Sequence, residues 1–113
     1  MRSAKIASSK KAKDIIILDL RRLTSVTDYF VICSGESSTH IKALSAAIEE
    51  GFSKNKIPRL GIEGRGFWRW VLMDYGDVVI HIFDEEMRAY YELEKLWLDA
   101  PRVSINRRRR GIK

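Results

Sequence analysis

The sequence has few of the features that would place the protein outside a reducing compartment or in a membrane. Its one cysteine, Cys33, cannot form an intrachain disulfide and lies in an apolar, strand-like run. We therefore expect a small buried side chain in a reducing compartment. No apolar run approaches the roughly 20 residues that cross a bilayer, and the N-terminus lacks the apolar core of a signal peptide. These absences predict a cytoplasmic protein without a membrane segment.

Acidic residues are missing from both ends of the chain. Residues 1–13 carry five basic and no acidic side chains, and residues 101–113 carry six basic and none. The middle, residues 14–100, has ten basic against fifteen acidic side chains. An acidic body with basic ends suits a domain that binds a basic protein while its ends touch phosphate. The alternative is that the ends only keep the protein soluble.

The length of 113 residues predicts one domain with a modest core. Charge and pattern divide the chain into a basic N-terminal segment (1–13), a folded domain (14–101) and a basic, mobile C-terminal tail (102–113). The first ten residues have little apolar content, so we expect them to cover little of the core. The tail includes four consecutive arginines, which are typical of an arm that contacts RNA: Arg107, Arg108, Arg109 and Arg110.

The apolar pattern predicts an α/β fold, with a mixed β-sheet of four to five strands and two helices packed on it. Strands are expected at 15–18 and 29–33, with a short edge strand or loop at 59–66. A hairpin is expected from 68–74 and 77–83, joined through Tyr75-Gly76. Its runs are apolar at nearly every position, which predicts cover on both faces. Three-to-four spacing predicts helices that begin near Ser38 and near Asp84.

A nucleotidyltransferase-like site is one interpretation of Asp74, Asp77, Gly35 and Ser37, as metal-binding acids beside a phosphate loop. The spacing argues against it. Two acids that flank a turn hold that turn, whereas a two-metal site needs carboxylates that project together from one strand face. The Gly-Glu-Ser-Ser stretch also lacks further glycines or a lysine to meet phosphates. We therefore predict no catalysis.

Neither histidine has cysteine, histidine or carboxylate neighbours at the spacing of metal ligands. His81 alternates with Val79 and Phe83 on a predicted strand, and His40 opens a predicted helix. Structural roles are therefore favoured for both. No metal and no cofactor are predicted.

Aromatic residues are the candidates for partner contact. Trp68, Trp70 and Leu72 are predicted to share one strand face, with Asp74 beyond them at the turn. Core packing is the simple interpretation, but tryptophan is favoured at binding hot spots and the sheet has few predicted helices to cover it. Tyr90, Tyr91 and Trp97 are at helical spacing, so they are expected to pack on the sheet, with some ring surface left for a partner or a second copy.

Five pieces of the sequence, in order and spacing, carry a family resemblance. They are Asp19-Leu20, Val26-Thr27-Asp28-Tyr29-Phe30, Ser34-Gly35-Glu36-Ser37-Ser38, the hairpin from Trp70 to Phe83, and the run from Tyr91 to Pro101. Across about residues 11–103 the chain resembles the ribosomal silencing factor family, also called Iojap. The resemblance implies a fold related to nucleotidyltransferases but without their catalytic acids.

The resemblance also implies a function. A family member would dock on the large ribosomal subunit through ribosomal protein fourteen, block joining of the small subunit and repress translation when nutrients are limited. It would use no small-molecule substrate. The alternatives are a nucleotidyltransferase-like enzyme and a basic RNA-binding protein.

Two expectations about surfaces follow. A homodimer is expected when the protein is free, because the family is commonly dimeric and apolar strand faces outnumber the predicted helices. The arginine tail is expected to touch ribosomal RNA. The expected partner-binding residues are Trp70, Asp74, Tyr75, Asp77 and Glu63.

Overall fold

A computed structural model describes residues 2–103 of the chain. Its described residues form five strands and three α-helices, and a short 3₁₀ helix follows the last α-helix. The elements are α1 (Arg2–Ser9), β1 (Lys13–Asp19), β2 (Tyr29–Gly35), α2 (Ser38–Lys54), β3 (Gly61–Glu63), β4 (Trp70–Asp74), β5 (Val78–Asp84), α3 (Glu85–Tyr91) and the 3₁₀ helix Leu93–Trp97.

The strands form one mixed sheet in the order β1-β2-β5-β4-β3. β2 and β5 are parallel, and the other three pairs are antiparallel. The β4–β5 hairpin pairs Trp70 with Phe83 and Asp74 with Val79. The predicted α/β class, mixed sheet and hairpin are therefore confirmed, although β4 begins at Trp70 and not at Trp68.

One face of the sheet, the helix face, lies under α1 and α2. Apolar side chains of α2 pack there on fully buried strand residues such as Val31, Ile80 and Ile82. The helix begins at Ser38, as predicted, because the Ser37 side chain accepts a hydrogen bond from the backbone N–H of His40 and so caps its N-terminus. Cys33 is fully buried in this core and burial raises the pKa of its thiol to about 12, which fits the predicted role of a small hydrophobic residue.

α1 is a third helix that the sequence pattern does not predict. Its Ala4 and Ala7 are fully buried, and Ile6 lies over Gly51 of α2. A Cβ at position 51 would come within 2.4 Å of Ile6 Cδ1, so the glycine allows the two helices to approach closely. Small residues therefore dock a segment that looks too polar to pack.

Residues just after the 3₁₀ helix lie along the outer edge of β1. Arg102 pairs with Leu18, and the Val103 N–H donates to the Ile17 carbonyl at 2.9 Å. The first two residues of the predicted mobile tail thus extend the sheet, which corrects the expectation for them. The charge-based boundary at 13/14 falls one residue inside β1.

The opposite side of the sheet, here called the open face, is defined by Phe30, Trp70, Leu72 and His81. The segment from Met87 to Ala100 covers its β1–β2 half. The same segment reaches β4 at Trp70, which the Tyr91 ring contacts. Side chains of β4 therefore alternate between partly buried positions on the open face and fully buried positions on the helix face. The interior of β5 is buried on both sides, as predicted, whereas the prediction of two-sided cover was wrong for β4.

Candidate functional site: the open face and the hairpin end

Aromatic rings from five elements meet on the open face. The Trp70 indole stacks on Phe83, with ring centroids 4.8 Å apart, and lies 4.7 Å from the Tyr91 ring. Phe30 contacts His81 edge-on at 4.7 Å and Trp97 at 6.0 Å. Trp70, Phe30 and Trp97 are each partly buried, so the cluster keeps some ring surface in contact with solvent. Partly exposed, mutually supported rings are suited to binding a protein surface.

His81 lies within this aromatic cluster. Its side chain is buried, and that burial lowers the pKa of the imidazole to about 4. The Trp70 indole N–H donates to His81 Nδ1 at 3.2 Å. The neutral imidazole is therefore a packed, hydrogen-bonded side chain, as the structural interpretation predicted.

His40 connects three segments. Its Nδ1 accepts a hydrogen bond from the Glu36 backbone N–H at 2.9 Å, and its Nε2 lies 2.8 Å from the Lys10 carbonyl oxygen. Both ring nitrogens are thus used in joining the end of α1 to the start of α2. Within residues 2–103 there is also no group of three or more histidine, cysteine or acidic side chains placed to hold a metal ion.

The β4–β5 turn and the residue before β2 form an acidic corner, which we call the hairpin end. Its members are Asp74, Asp77 and Asp28. Asp74 Oδ1 accepts the Gly76 N–H at 2.9 Å, and Gly76 has a φ of +84°, a conformation that favours glycine. The Asp77 side chain is exposed, and its carbonyl accepts the backbone N–H groups of Asp28 and Tyr29, each at 3.0 Å. Three carboxylates therefore lie at one corner of the sheet, next to the open face.

The structure brings some of the predicted site residues together. Trp70 and Asp74 lie on the open face of β4 because they are four residues apart on one strand, and side chains an even number of residues apart share a face. Glu63 is exposed on β3 opposite Leu72, which places its side chain on that face as well. Asp77 is exposed at the hairpin end. These residues form one continuous region.

Tyr75 is placed differently. Its side chain is 8% exposed and lies on the helix face, with its ring centroid 4.1 Å from that of Phe52. Burial raises the pKa of the phenol, whose oxygen is buried without a hydrogen-bond partner among residues 2–103. The ring therefore offers little surface to a docking protein.

Trp68 does not share a face with Trp70, which corrects that prediction. Its backbone has a φ of 58°, and a turn at 65–67 precedes it, so the strand alternation does not extend back to this residue. Its ring packs against the helix-face core, with Lys42 Nζ 5.8 Å from the ring centroid.

The groups of the nucleotidyltransferase-like interpretation lie at opposite ends of the sheet. Asp74 pairs with Val79 near the start of β5, whereas Gly35 pairs with Asp84 at its end. Five residues of strand separate the two levels, which corresponds to about 16 Å. The acids and the Gly35–Ser37 stretch therefore do not form one site, and Ser37 is used as the cap of α2.

A separate concave region of about 430 Å³ lies near the start of β1 and α3. Lys13, Glu85, Arg88 and Ser34 are among its lining residues. Its charged groups pair with one another: Lys13 Nζ lies 3.1 Å from Glu36 and 3.5 Å from Glu85, and Arg88 Nη1 donates to Ser34 Oγ at 2.9 Å. This region resembles a network of surface ion pairs more than a ligand site.

Sequence reasoning did not identify Phe30 and His81 as members of the same cluster as Trp70. They meet because β2 and β5 pair in parallel, and the local pattern of the hairpin contains no signal for that pairing. The alternation of β4 and the aromatic content of residues 29–30 were the available hints. The predicted RNA-contact residues Arg107–Arg110 lie outside the described residues.

Comparison with known proteins gives a consistent result. Residues 1–112 match the family model described as "Ribosomal silencing factor during starvation". The chain is 41% identical over 104 residues to Ribosomal silencing factor RsfS of Bacillus subtilis, covering 92% of this chain and 88% of that protein. It is 34% identical over 102 residues to the chloroplastic protein Iojap of Zea mays, covering 90% of this chain and 44% of that protein.

Solved structures agree with the sequence comparison. A crystal structure of a Chromobacterium violaceum protein matches with a TM-score of 0.82 at 35% identity, covering 84% of this chain and 79% of that one. A Bacillus halodurans crystal structure matches with a TM-score of 0.81 at 35% identity, covering 91% and 93%. No helix within residues 2–103 is long and apolar enough to cross a membrane. The chain belongs to the ribosomal silencing factor family.

Proposed function

We propose that this protein binds the large ribosomal subunit through ribosomal protein fourteen and prevents the small subunit from joining, so that translation falls when nutrients are limited. The observation that carries the proposal is the open face: a partly exposed aromatic cluster beside the acidic hairpin end, on a chain of the ribosomal silencing factor family. The mechanism is steric, and it requires no substrate or cofactor. We expect it to act in the cytoplasm.

The open face has the chemistry of a protein-binding surface. A partly buried indole supplies contact area with few rotatable bonds, and tryptophan is enriched among residues that dominate binding energy. Asp74, Asp77 and Glu63 surround that area with negative charge, which complements the basic surface expected of a ribosomal protein. The aromatic area would supply affinity, while the acids would guide approach and orientation.

The size of the domain suits occlusion. Its principal extents are 37 × 32 × 25 Å, so a docked copy would occupy space that a second subunit needs at a shared surface. The family description refers to starvation, and a mouse relative, 37% identical over 91 residues, is named for assembly of the mitochondrial large ribosomal subunit. Those names support, for this chain, a role on the large subunit under nutrient limitation.

We further propose that the free protein is a homodimer that buries part of the sheet edge or the aromatic helix surface. Tyr90 is 77% exposed and Tyr91 is 45% exposed, so apolar ring area is available on α3. Light scattering at tens of micromolar checks this point, and a strictly monomeric mass would contradict it.

The central test is sedimentation with purified subunits, followed by a subunit-joining assay. Wild-type protein should sediment with the large subunit alone and should slow joining. Trp70→Ala should weaken large-subunit binding by about 2 kcal/mol or more, the usual scale of a hot spot. Because the indole also packs on Phe83 and Tyr91, some folding stability should be lost too, and urea unfolding measures that part separately.

A matched pair of charge insertions provides the control. Leu72→Arg places a cation in the middle of the open face, where a long side chain can reach solvent without unfolding the strand. Phe67→Arg adds the same charge at a residue that is 85% exposed and lies in the turn before β4. The first should abolish binding and the second should not. Equal binding by Leu72→Arg and wild type would place the functional surface elsewhere.

A further inference from the structure

The hydrogen bond between Trp70 and His81 fixes a tautomer. An indole N–H can only donate, so the His81 Nδ1 at 3.2 Å must be an unprotonated acceptor. The neutral imidazole then carries its proton on Nε2. We propose that His81 is a positioning residue: by accepting this hydrogen bond it holds the Trp70 indole in the orientation with which the open face meets its partner, an inference that rests on the proposed function.

The ring contacts of Trp70 constrain the plane of its indole but not which edge of the indole faces the sheet. Phe83 stacks on the indole with an interplanar angle of 26°, and Tyr91 lies against it at 47°. Stacking constrains the plane of a ring, but a flip of about 180° about χ2 keeps the indole in nearly the same plane and exchanges its two edges. A hydrogen bond is directional, so it determines which edge of the indole faces the sheet and which edge faces solvent.

His81 is itself held firmly enough to serve as a reference point. It lies in β5, which pairs with β2 on one side and β4 on the other, and its side chain is 3% exposed. The Phe30 ring contacts it edge-on at 4.7 Å. Burial lowers the pKa of the imidazole to about 4, so Nδ1 remains an acceptor at physiological pH.

The other nitrogen of the ring argues that stability alone does not explain this histidine. His81 Nε2 is buried and has no hydrogen-bond partner within residues 2–103. A buried donor without an acceptor destabilises the folded state, whereas a phenylalanine of similar shape would avoid that cost. The chain therefore keeps a histidine with an unpaired buried donor beside Trp70, the residue whose orientation matters for the proposed docking surface.

The hydrogen bond can be measured directly in the wild-type protein. In uniformly ¹⁵N-labelled protein at pH 7, a scalar coupling should be resolved between Trp70 Nε1 and His81 Nδ1, and the His81 nitrogen shifts should show the proton on Nε2. A Trp70→Phe variant assigns the indole signal. Protonated Nδ1, or an indole N–H without the coupling, would overturn the inference without any use of ribosomes.

A double-mutant cycle tests the functional role. His81→Phe should weaken large-subunit binding roughly threefold to tenfold, the scale of one neutral hydrogen bond, while the midpoint of urea unfolding stays the same or rises. In a Trp70→Phe background, which lacks the indole N–H, the same substitution should have no further effect. His81→Asn, which offers an amide oxygen as acceptor, should restore part of the binding.

Two results separate this inference from the proposed function. If His81→Phe weakens binding equally in both backgrounds, or leaves it unchanged while Trp70→Ala still weakens it, His81 does not act through the indole and the inference alone is overturned. If Trp70→Ala binds the large subunit as wild type does, the docking surface is wrong and the positioning role is overturned with it. Wild-type stability of His81→Phe with selective loss of binding supports the inference.

Discussion

At the scale of residues, two basic side chains buried in the described part of the chain are accommodated in different ways. Arg88 in α3 is 9% exposed and donates to Ser34 Oγ at 2.9 Å, which keeps a charged guanidinium hydrogen-bonded at the end of β2. His81 is 3% exposed among aromatic rings and is neutral. A buried guanidinium can stay charged where a polar side chain accepts its hydrogen bond, whereas an imidazole surrounded by aromatic rings loses its proton.

The neutral state of His81 predicts a pH dependence of stability. Its pKa is about 4 in the folded chain and about 6.5 in an unfolded one, so the unfolded state binds the proton first as pH falls. The contribution of His81 is therefore fully present above pH 6.5 and is lost as the pH falls towards 4. Between pH 7 and pH 5 the free energy of unfolding should decrease by about 2 kcal/mol from this group.

Urea unfolding of wild type and His81→Phe across that range measures the effect. His40 and the carboxylates are common to both proteins, so the difference between the two curves isolates His81. The wild-type curve should fall more steeply with decreasing pH. Parallel curves would mean that His81 takes up its proton in the folded state.

At the scale of elements, α1 shows how a short, polar helix can contribute to a core. Ala4 and Ala7 are fully buried, and the missing side chain of Gly51 lets Ile6 of α1 approach α2 closely. Such an interface buries little area per residue, so each contact depends on small size more than on hydrophobicity. The Lys10 carbonyl near His40 Nε2 adds a polar tie at the end of the helix.

A charge at Ala7 should release α1 from the domain. Ala7→Glu places a carboxylate at a fully buried position, and its desolvation should cost about 2 kcal/mol or more. Because the strands and α2 retain their own core, undocking of residues 2–11 is expected in place of global unfolding. Hydrogen exchange and tryptic cleavage at Lys5 and Lys10 should accelerate.

Ser8→Glu is the matched control for that substitution, since it adds the same side chain at the neighbouring exposed position of the same helix. Its exchange and cleavage should resemble wild type. If both variants behave alike, or if Ala7→Glu loses all structure in one transition, α1 is not a separately docked element.

The elements that the sequence predicts are those with strong local signals. The apolar hairpin, the helix capped by Ser37 and the helix after Asp84 all carry period and capping cues, and all are present. α1 lacks such cues because alanine and serine differ little in hydrophobicity, so the segment shows no clear helical spacing of apolar residues. The bend at Trp68 was missed for a similar reason: a positive φ leaves no mark in an apolar run.

At the scale of the whole molecule, the candidate site depends on pairing that no local pattern encodes. Trp70 and Asp74 are found from β4 itself, but Phe30 joins them only because β2 lies parallel to β5. Tyr75 was placed in the candidate site because its sequence neighbours are at the hairpin end. Its ring instead packs against Phe52 of α2, on the other face of the sheet. Sequence therefore identifies the hairpin as the candidate site, and tertiary structure decides which of its side chains lie on the open face.

The uneven distribution of charge along the chain predicts how the tail contributes. Deletion of Arg107–Lys113 removes five basic residues and no apolar anchor, so large-subunit binding should weaken while preference over the small subunit stays. Each phosphate contact that is lost should reduce the slope of log K against log salt by roughly 0.7 to 0.9. Binding titrations at several salt concentrations measure both quantities.

A second variant separates charge from chain length in this experiment. Replacement of Arg107, Arg108, Arg109 and Arg110 by glutamine keeps all 113 residues and removes four positive charges. It should reproduce most of the change in salt slope, because phosphate binding by arginine depends on charge. An unchanged slope in both variants would show that the tail does not touch phosphate. Loss of large-subunit preference would instead show that recognition lies in the tail, and the open face of the sheet would then be left with the steric role alone.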